Sequence, residues 1–368
     1  GVYVSRPGNG ICHQVHLERF GATSGKEVHD AIAKLQGEGM EKLIFDLGVN
    51  GGGYLGAAVD VASEFLPGGS LVVYTQGRTG KDSQLRASSN GLFRKGGLAI
   101  LVDEYTASAA EIVSGAVQDH DRGVIVGRRT FGKGLVQRPV ELPDGSMIRL
   151  TVSHYYTPSG RCIQKPYTMG DESFYAQDLV DRYQHGEYFS QDSIKHTGPA
   201  YHTHIGRVVY GGGGITPDIF IPEDTLGMTS YYKRAAMSGL ILQFAYDYTD
   251  DNRAKLNGYR NMQSLYDYLK TQNLVERFAS YADRNGLQRR NLMIRKSHKL
   301  LDQYINSRII YNMLDEEAWN EYLNQDDDNI RAALNVFAQG KAFPKKPAVK
   351  KKAVRKVAVK RAVAKHRK

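Results

Sequence analysis

Apolar Val28, Ala31, Ile32 and Leu35 recur at helical spacing, and Ser24 with Glu27 three positions on has the form of a capping box. An amphipathic helix is therefore expected over this stretch. The run KLIFDL that follows is apolar at consecutive positions and predicts a buried strand. Gly51–Gly53 separates it from a helical stretch, YLGAAVDVASEFL, which stops at Pro67-Gly68-Gly69. The alternation continues through strand SLVVYT, strand LAILVD, helix SAAEIVSGAVQ and strand GVIVG. Strands alternating with helices imply right-handed crossovers and a largely parallel sheet, hence an α/β fold.

The pattern changes after Gly132. LVQRPVEL, a Pro-Asp-Gly turn and SMIRLTVSHYYT read as a hairpin, so parallel and antiparallel pairing mix. From Met228 to Gln339 the period is helical almost throughout, as at Leu265, Tyr268 and Leu269 and again at Leu301, Tyr304 and Ile305. The expected organisation is a core over residues 1–227, a separate helical domain over 228–339 and a tail over 340–368. Tyr167 to Tyr210 is polar and aromatic, without a clear period.

Charge matters through its location. The 368 residues carry a formal +10, but thirteen Lys and Arg and no Asp or Glu lie between Lys341 and Lys368. The remainder holds 36 basic against 39 acidic residues, close to neutral. That Lys/Ala/Val-rich tail is too densely charged to pack and is expected to be disordered. It suits either solubilisation or loose contact with anionic lipid, lipopolysaccharide or nucleic acid. Two cysteines, Cys12 and Cys162, exclude a disulfide scaffold and a Cys-based zinc site and leave one optional bridge open. No apolar run reaches the roughly 20 residues of a membrane helix, and no signal peptide is visible.

The chemistry centres on Lys133, which could hold a phosphate, serve a serine, or do neither. Gly127 to Lys133 satisfies the first seven positions of a phosphate-binding loop. The eighth, which must be Ser or Thr to hold magnesium, is Gly134, and a strand rather than a helix follows. Ser108 instead lies in the first turn of a helix just after strand LAILVD, where a serine is exposed and the amide of Ala109 points toward an oxyanion beside it. A serine needs a base, and a lysine serves once burial disfavours its charged form. Gln137, four residues past Lys133, would share its face in an extended strand and orient the amine. Against this stands the bland alternative of a capping serine and a solvated lysine. Ser230 and Lys233 have Ser-x-x-Lys spacing without companion motifs. His202 and His204 lack a second ligand cluster, and Gly211–Gly214 reads as a tight turn.

The ordered set DLGVNGGG, ASAAEIVSGAVQDHDR, VGRRTFGKGLVQ, YYTPSGRCIQ and GGGGITPD, between about Phe20 and Pro222, resembles the carboxy-terminal processing peptidases, or tail-specific proteases. The resemblance implies a crotonase/Clp protease-like core with Ser108 as nucleophile, Lys133 as general base and Gln137 as its orienting residue. The oxyanion hole would be the amide of Ala109 with that of Gly52 or Gly53. The implied activity is serine endopeptidase, acting on protein or peptide substrates near carboxy-terminal tails without metal or cofactor, in the periplasm or envelope. Three departures stand out: no PDZ segment precedes the core within this chain, Gly48 replaces a common arginine, and GICHQVHLERF is an unusual entering strand. The rival expectations are a catalytically silent envelope protein that binds peptides and a nucleic-acid binder acting through the tail.

Overall fold

The computed structural model describes residues 1–7, 11–77, 83–167 and 173–347. In chain order the first part holds β1 (Val2–Ser5), β2 (Cys12–Leu17), α1 (Ser24–Gly37), β3 (Lys42–Asp46), α2 (Leu55–Phe65), β4 (Leu71–Gly77), β5 (Ser83–Arg86), β6 (Gly97–Val102), α3 (Ala109–Asp119), β7 (Val124–Gly127), β8 (Leu135–Glu141) and β9 (Met147–Tyr156). There follow α4 (Ser173–Gln184), β10 (Ala200–His202), β11 (Val208–Tyr210) and β12 (Ile219–Phe220). The last part is helical: α5 (Ser230–Met237), α6 (Leu240–Leu256), α7 (Met262–Leu269), α8 (Leu274–Arg284), α9 (Asn291–Lys296), α10 (His298–Met313), α11 (Glu316–Asn324) and α12 (Asp328–Ala338).

The main sheet has the order β1-β2-β3-β6-β7-β12, parallel except for β1 against β2. Its central strands are apolar at consecutive positions because both faces are covered. Leu43, Phe45, Leu98, Ile100, Val102 and Ile125 face the core shared with α1, α2 and α3. The alternate residues Ile44, Ala99, Leu101, Val124 and Val126 pack on Ile330, Ala333, Val336 and Phe337 of α12. The final helix of the expected 228–339 domain therefore belongs structurally to the sheet. The helices before it enclose their own core, including Phe244, Leu265, Phe278, Leu301 and Ile305. They rest on the sheet edge where Asn324 donates to Ser5 Oγ at 2.8 Å.

Three further expectations change. SLVVYT does not join the parallel sheet: as β4 it pairs antiparallel with β5 and β9 in a second sheet of order β5-β4-β9-β8. Only Val72 and Val73 of that strand are buried, a pattern suited to a sheet covered over a short stretch. Ser24 is not the cap of α1; it is buried inside the first turn, accepts from Gly21 N–H at 2.9 Å, and Thr23 precedes the helix. The tail does not start at residue 340: Lys341 N–H donates to Val336 O at 2.9 Å, Ala342 is buried, and the Phe343 ring lies 5.9 Å from the Arg122 guanidinium. Residues 348–368 lie outside those described.

Candidate active site

The corner between β6 and α3 is held by side-chain bonds to its own backbone and to the loop after β3. Asp103 Oδ1 accepts from Tyr105 N–H at 2.9 Å and Thr106 N–H at 3.0 Å, and its Oδ2 accepts from Val49 N–H at 2.9 Å. Thr106 Oγ1 donates to Leu47 O at 2.8 Å. At the end of this braced corner Ser108 adopts φ 56°, ψ −116°, a strained conformation for a residue with a Cβ. It sits immediately before α3 rather than within the first turn, and its side chain stands half-buried at the corner.

Lys133 arrives from the segment between β7 and β8. Its backbone N–H donates to Glu111 Oε2 at 2.9 Å, and Ser108 N–H donates to that same oxygen at 2.9 Å. The two nitrogens are therefore no further apart than twice that length. On the carbonyl side the Tyr155 hydroxyl lies 2.9 Å from Ser108 O and 2.6 Å from Lys133 O, one proton serving two acceptors. Glu111 Oε1 takes Gly132 N–H at 2.7 Å and the Thr130 hydroxyl. Burial pushes the Glu111 carboxyl above its ordinary range, while these four donors pull the other way. Burial likewise holds the Tyr155 phenol well above its ordinary value, so it stays a donor.

The side chains of the expected trio are less engaged than their backbones. Among the described residues Ser108 Oγ, Lys133 Nζ and the Gln137 amide make no hydrogen bond to one another. Gln137 is exposed on β8 opposite Thr151. Lys133 precedes that strand, following Gly132 at φ 86°, so the same-face rule of an extended strand does not carry across.

The glycine run lies directly against the corner. A Cβ on Gly52 would come within 2.7 Å of Ala107 O and Ser108 Cβ and 2.8 Å of Ala109 N, and Gly52 has φ 89°. Gly52 N–H is consumed by Asn50 Oδ1 at 2.8 Å, with Asn50 Nδ2 donating in turn to Leu17 O. The N–H groups of Gly53 and Ala109 donate to no acceptor among the described residues.

Other candidates separate from this cluster. The phosphate-loop alternative fails on its own donors, because Gly132 and Lys133 N–H are spent on a carboxylate and no helix follows. Lys233 is exposed on α5, and Ser230 Oγ contacts Met293 Sδ at 3.4 Å. His202 and His204 are exposed, and no metal-holding group occurs among the described residues. Gly214, at φ 81°, packs against Thr130, whose Oγ1 accepts from Ile215 N–H at 2.7 Å. Cys12 and Cys162 form no disulfide. Sequence reasoning missed Asn50, Glu111, Thr130 and Tyr155. Only Glu111 left a local signal, the Ser-x-x-Glu form of Ser108 to Glu111.

Residues 12–174 match the model of Peptidase family S41, and residues 231–315 match that of a family of unknown function, DUF8443. The chain is 42% identical over 168 residues to a carboxyl-terminal-processing protease of Synechocystis sp., covering 46% of this chain and 39% of that one. It is 38% identical over 145 residues to carboxyl-terminal-processing peptidase 3, chloroplastic, of Arabidopsis thaliana, covering 39% and 28%. Among solved structures, the photosystem II D1 C-terminal processing protease aligns with 27% identity and TM-score 0.42 over 60% of this chain and 45% of that one. The chain spans less than half the length of these relatives. Its first part is thus similar to the peptidase family S41 model and, in sequence, to the carboxyl-terminal-processing proteases.

Proposed function

We propose that the protein is a serine endopeptidase of the carboxy-terminal processing type, with Ser108 as nucleophile and Lys133 as general base. The observation that carries this reading is the common Glu111 oxygen bonded to both backbone amides, which seats a corner serine beside a lysine from a different loop. Ser108 Oγ attacks the scissile carbonyl as Lys133 Nζ takes its proton. The oxyanion is received by the unspent N–H groups of Gly53 and Ala109, and Gly52 serves by close packing instead of donation. Lys133 returns the proton to the leaving amine, and water then hydrolyses the acyl-enzyme. Gln137 orients the amine once substrate fills the site, and the surrounding architecture is a crotonase/Clp protease-like core. Substrates, by likeness to the named relatives, are protein or peptide chains cut near carboxy-terminal tails, and the proposed setting is periplasm or cell envelope.

The competing reading, a catalytically silent peptide binder, draws on the unformed contact between Ser108 Oγ and Lys133 Nζ. Apo hydrogen bonds of this kind are often long and tighten on substrate binding. The experiment is digestion of an unfolded test protein, with product termini read by mass spectrometry, beside Ser108→Ala and Lys133→Ala. Both variants are expected to fold and to lose cleavage; wild-type-like products from either overturn the dyad.

A further inference from the structure

Glu111 carries more than a helix cap requires. A capping-box glutamate needs one bond, to the N–H of the residue that starts the helix. Here that bond, from Ser108 N–H at 2.9 Å, is joined by three donors from Thr130, Gly132 and Lys133, some 20 residues away on the segment that follows the neighbouring strand β7. The side chain is fully buried and forms no ion pair among the described residues. Burying a carboxylate without a cation is costly, and a neutral residue would be the cheaper filler if packing were the sole demand. What a carboxylate has and Gln lacks is acceptor capacity at both ends. All four partners are donors, so the ionised form satisfies them all, whereas an amide would set its NH2 against an N–H. Thr130 extends the arrangement, because its hydroxyl donates to Glu111 while accepting from Ile215 N–H at 2.7 Å.

We propose that Glu111 is the positioning residue of the peptidase, a carboxyl clamp whose two oxygens fix the Ser108 corner against the Thr130–Lys133 segment and so set the nucleophile-to-base distance. The inference rests on the Ser108–Lys133 reading above. Glu111 touches neither substrate nor reacting atoms; it acts through the two residues that do. A displacement of about 1 Å between reacting groups costs on the order of 100-fold in rate, which is the scale expected for losing the clamp.

The test measures kcat and KM of the full chain on fluorescently labelled unfolded casein, well below each variant's melting temperature, with covalent labelling of Ser108 by a fluorophosphonate in parallel. Glu111→Gln is expected to lower kcat by about 100-fold with KM within about threefold of wild type, and to slow labelling in proportion. Because that variant could fail to fold, Thr130→Val and Thr130→Ser form a second pair. Val removes the hydroxyl link and should lower kcat by about tenfold, and Ser, which keeps it, should restore most of that loss. Glu111→Gln or Thr130→Val retaining wild-type kcat in a folded protein overturns the clamp, as does a loss that Ser fails to restore. If wild type neither cleaves nor labels at Ser108, the peptidase reading itself falls and the clamp with it; an active wild type beside an equally active Glu111→Gln sinks the clamp alone.

Discussion

Asn50 Oδ1 accepts the N–H of Gly52 at 2.8 Å, so this amide of the glycine run is spent within its own loop. Its neighbour Gly53 keeps an unspent N–H, while Gly52 contributes closeness through a bare Cα against Ser108 and Ala109. Gly52→Ala is expected to destabilise the fold by more than about 2 kcal/mol and abolish turnover, since its methyl would meet backbone on two sides at a positive φ. Asn50→Ala should cost about 1–3 kcal/mol, by leaving Leu17 O and Gly52 N–H without partners, and lower kcat at least tenfold. Urea unfolding with casein turnover checks both.

Tyr155 ties the carbonyl ends of Ser108 and Lys133 through one hydroxyl. Tyr155→Phe should cost about 1 kcal/mol and reduce kcat with little change in KM. The phenol has a raised folded-state pKa, so its contribution is present below the unfolded value near 10 and is lost as pH rises toward the folded value. Thermal melts between about pH 9 and 11 should fall more steeply for wild type than for Tyr155→Phe.

His16 Nδ1 on β2 lies 3.1 Å from Asp46 Oδ2 at the end of the adjacent strand β3. Burial disfavours the imidazolium, but the hydrogen bond and charge of Asp46 outweigh it, and the net shift is upward. Such a pair stabilises the fold below about pH 6.5 and loses its effect as pH rises through the folded value. His16→Gln should therefore flatten the stability profile around neutrality; an unchanged slope in chemical denaturation from pH 5.5 to 8 contradicts the pairing.

Val49 holds φ 59° while 72% exposed, so a β-branched residue occupies left-handed backbone with little packing in return. Val49→Asn should stabilise by about 1 kcal/mol, because Asn tolerates this conformation. A melting temperature equal to or below wild type would show that the loop relaxes without cost.

Arg122 donates from its buried guanidinium to Phe65 O, Gly96 O and Phe93 O, and burial pulls its pKa down to about 10. Arg122→Met should destabilise by about 2–4 kcal/mol through three orphaned carbonyls, measurable by guanidinium unfolding.

Local pattern determined much of this protein. Runs such as LAILVD and GVIVG specify strands buried on both faces, Val28, Ile32 and Leu35 specify the inner stripe of α1, and the serine-bearing corner follows from a strand joined to a helix by a short loop. The order of the glycine, serine and lysine motifs pointed to segments that the fold brings together around Ser108 and Glu111. Tertiary structure alone decided that β4 would leave the parallel sheet, that α12 would return to cover the sheet's second face, and that Glu111 would reach Thr130, Gly132 and Lys133. It also decided which glycine amide stays free. The physical reason is range: periodicity reports whether a side chain faces water or core within a few residues, whereas a buried carboxylate's donors are chosen by chain crossings that bring distant segments together, and no local spacing encodes them.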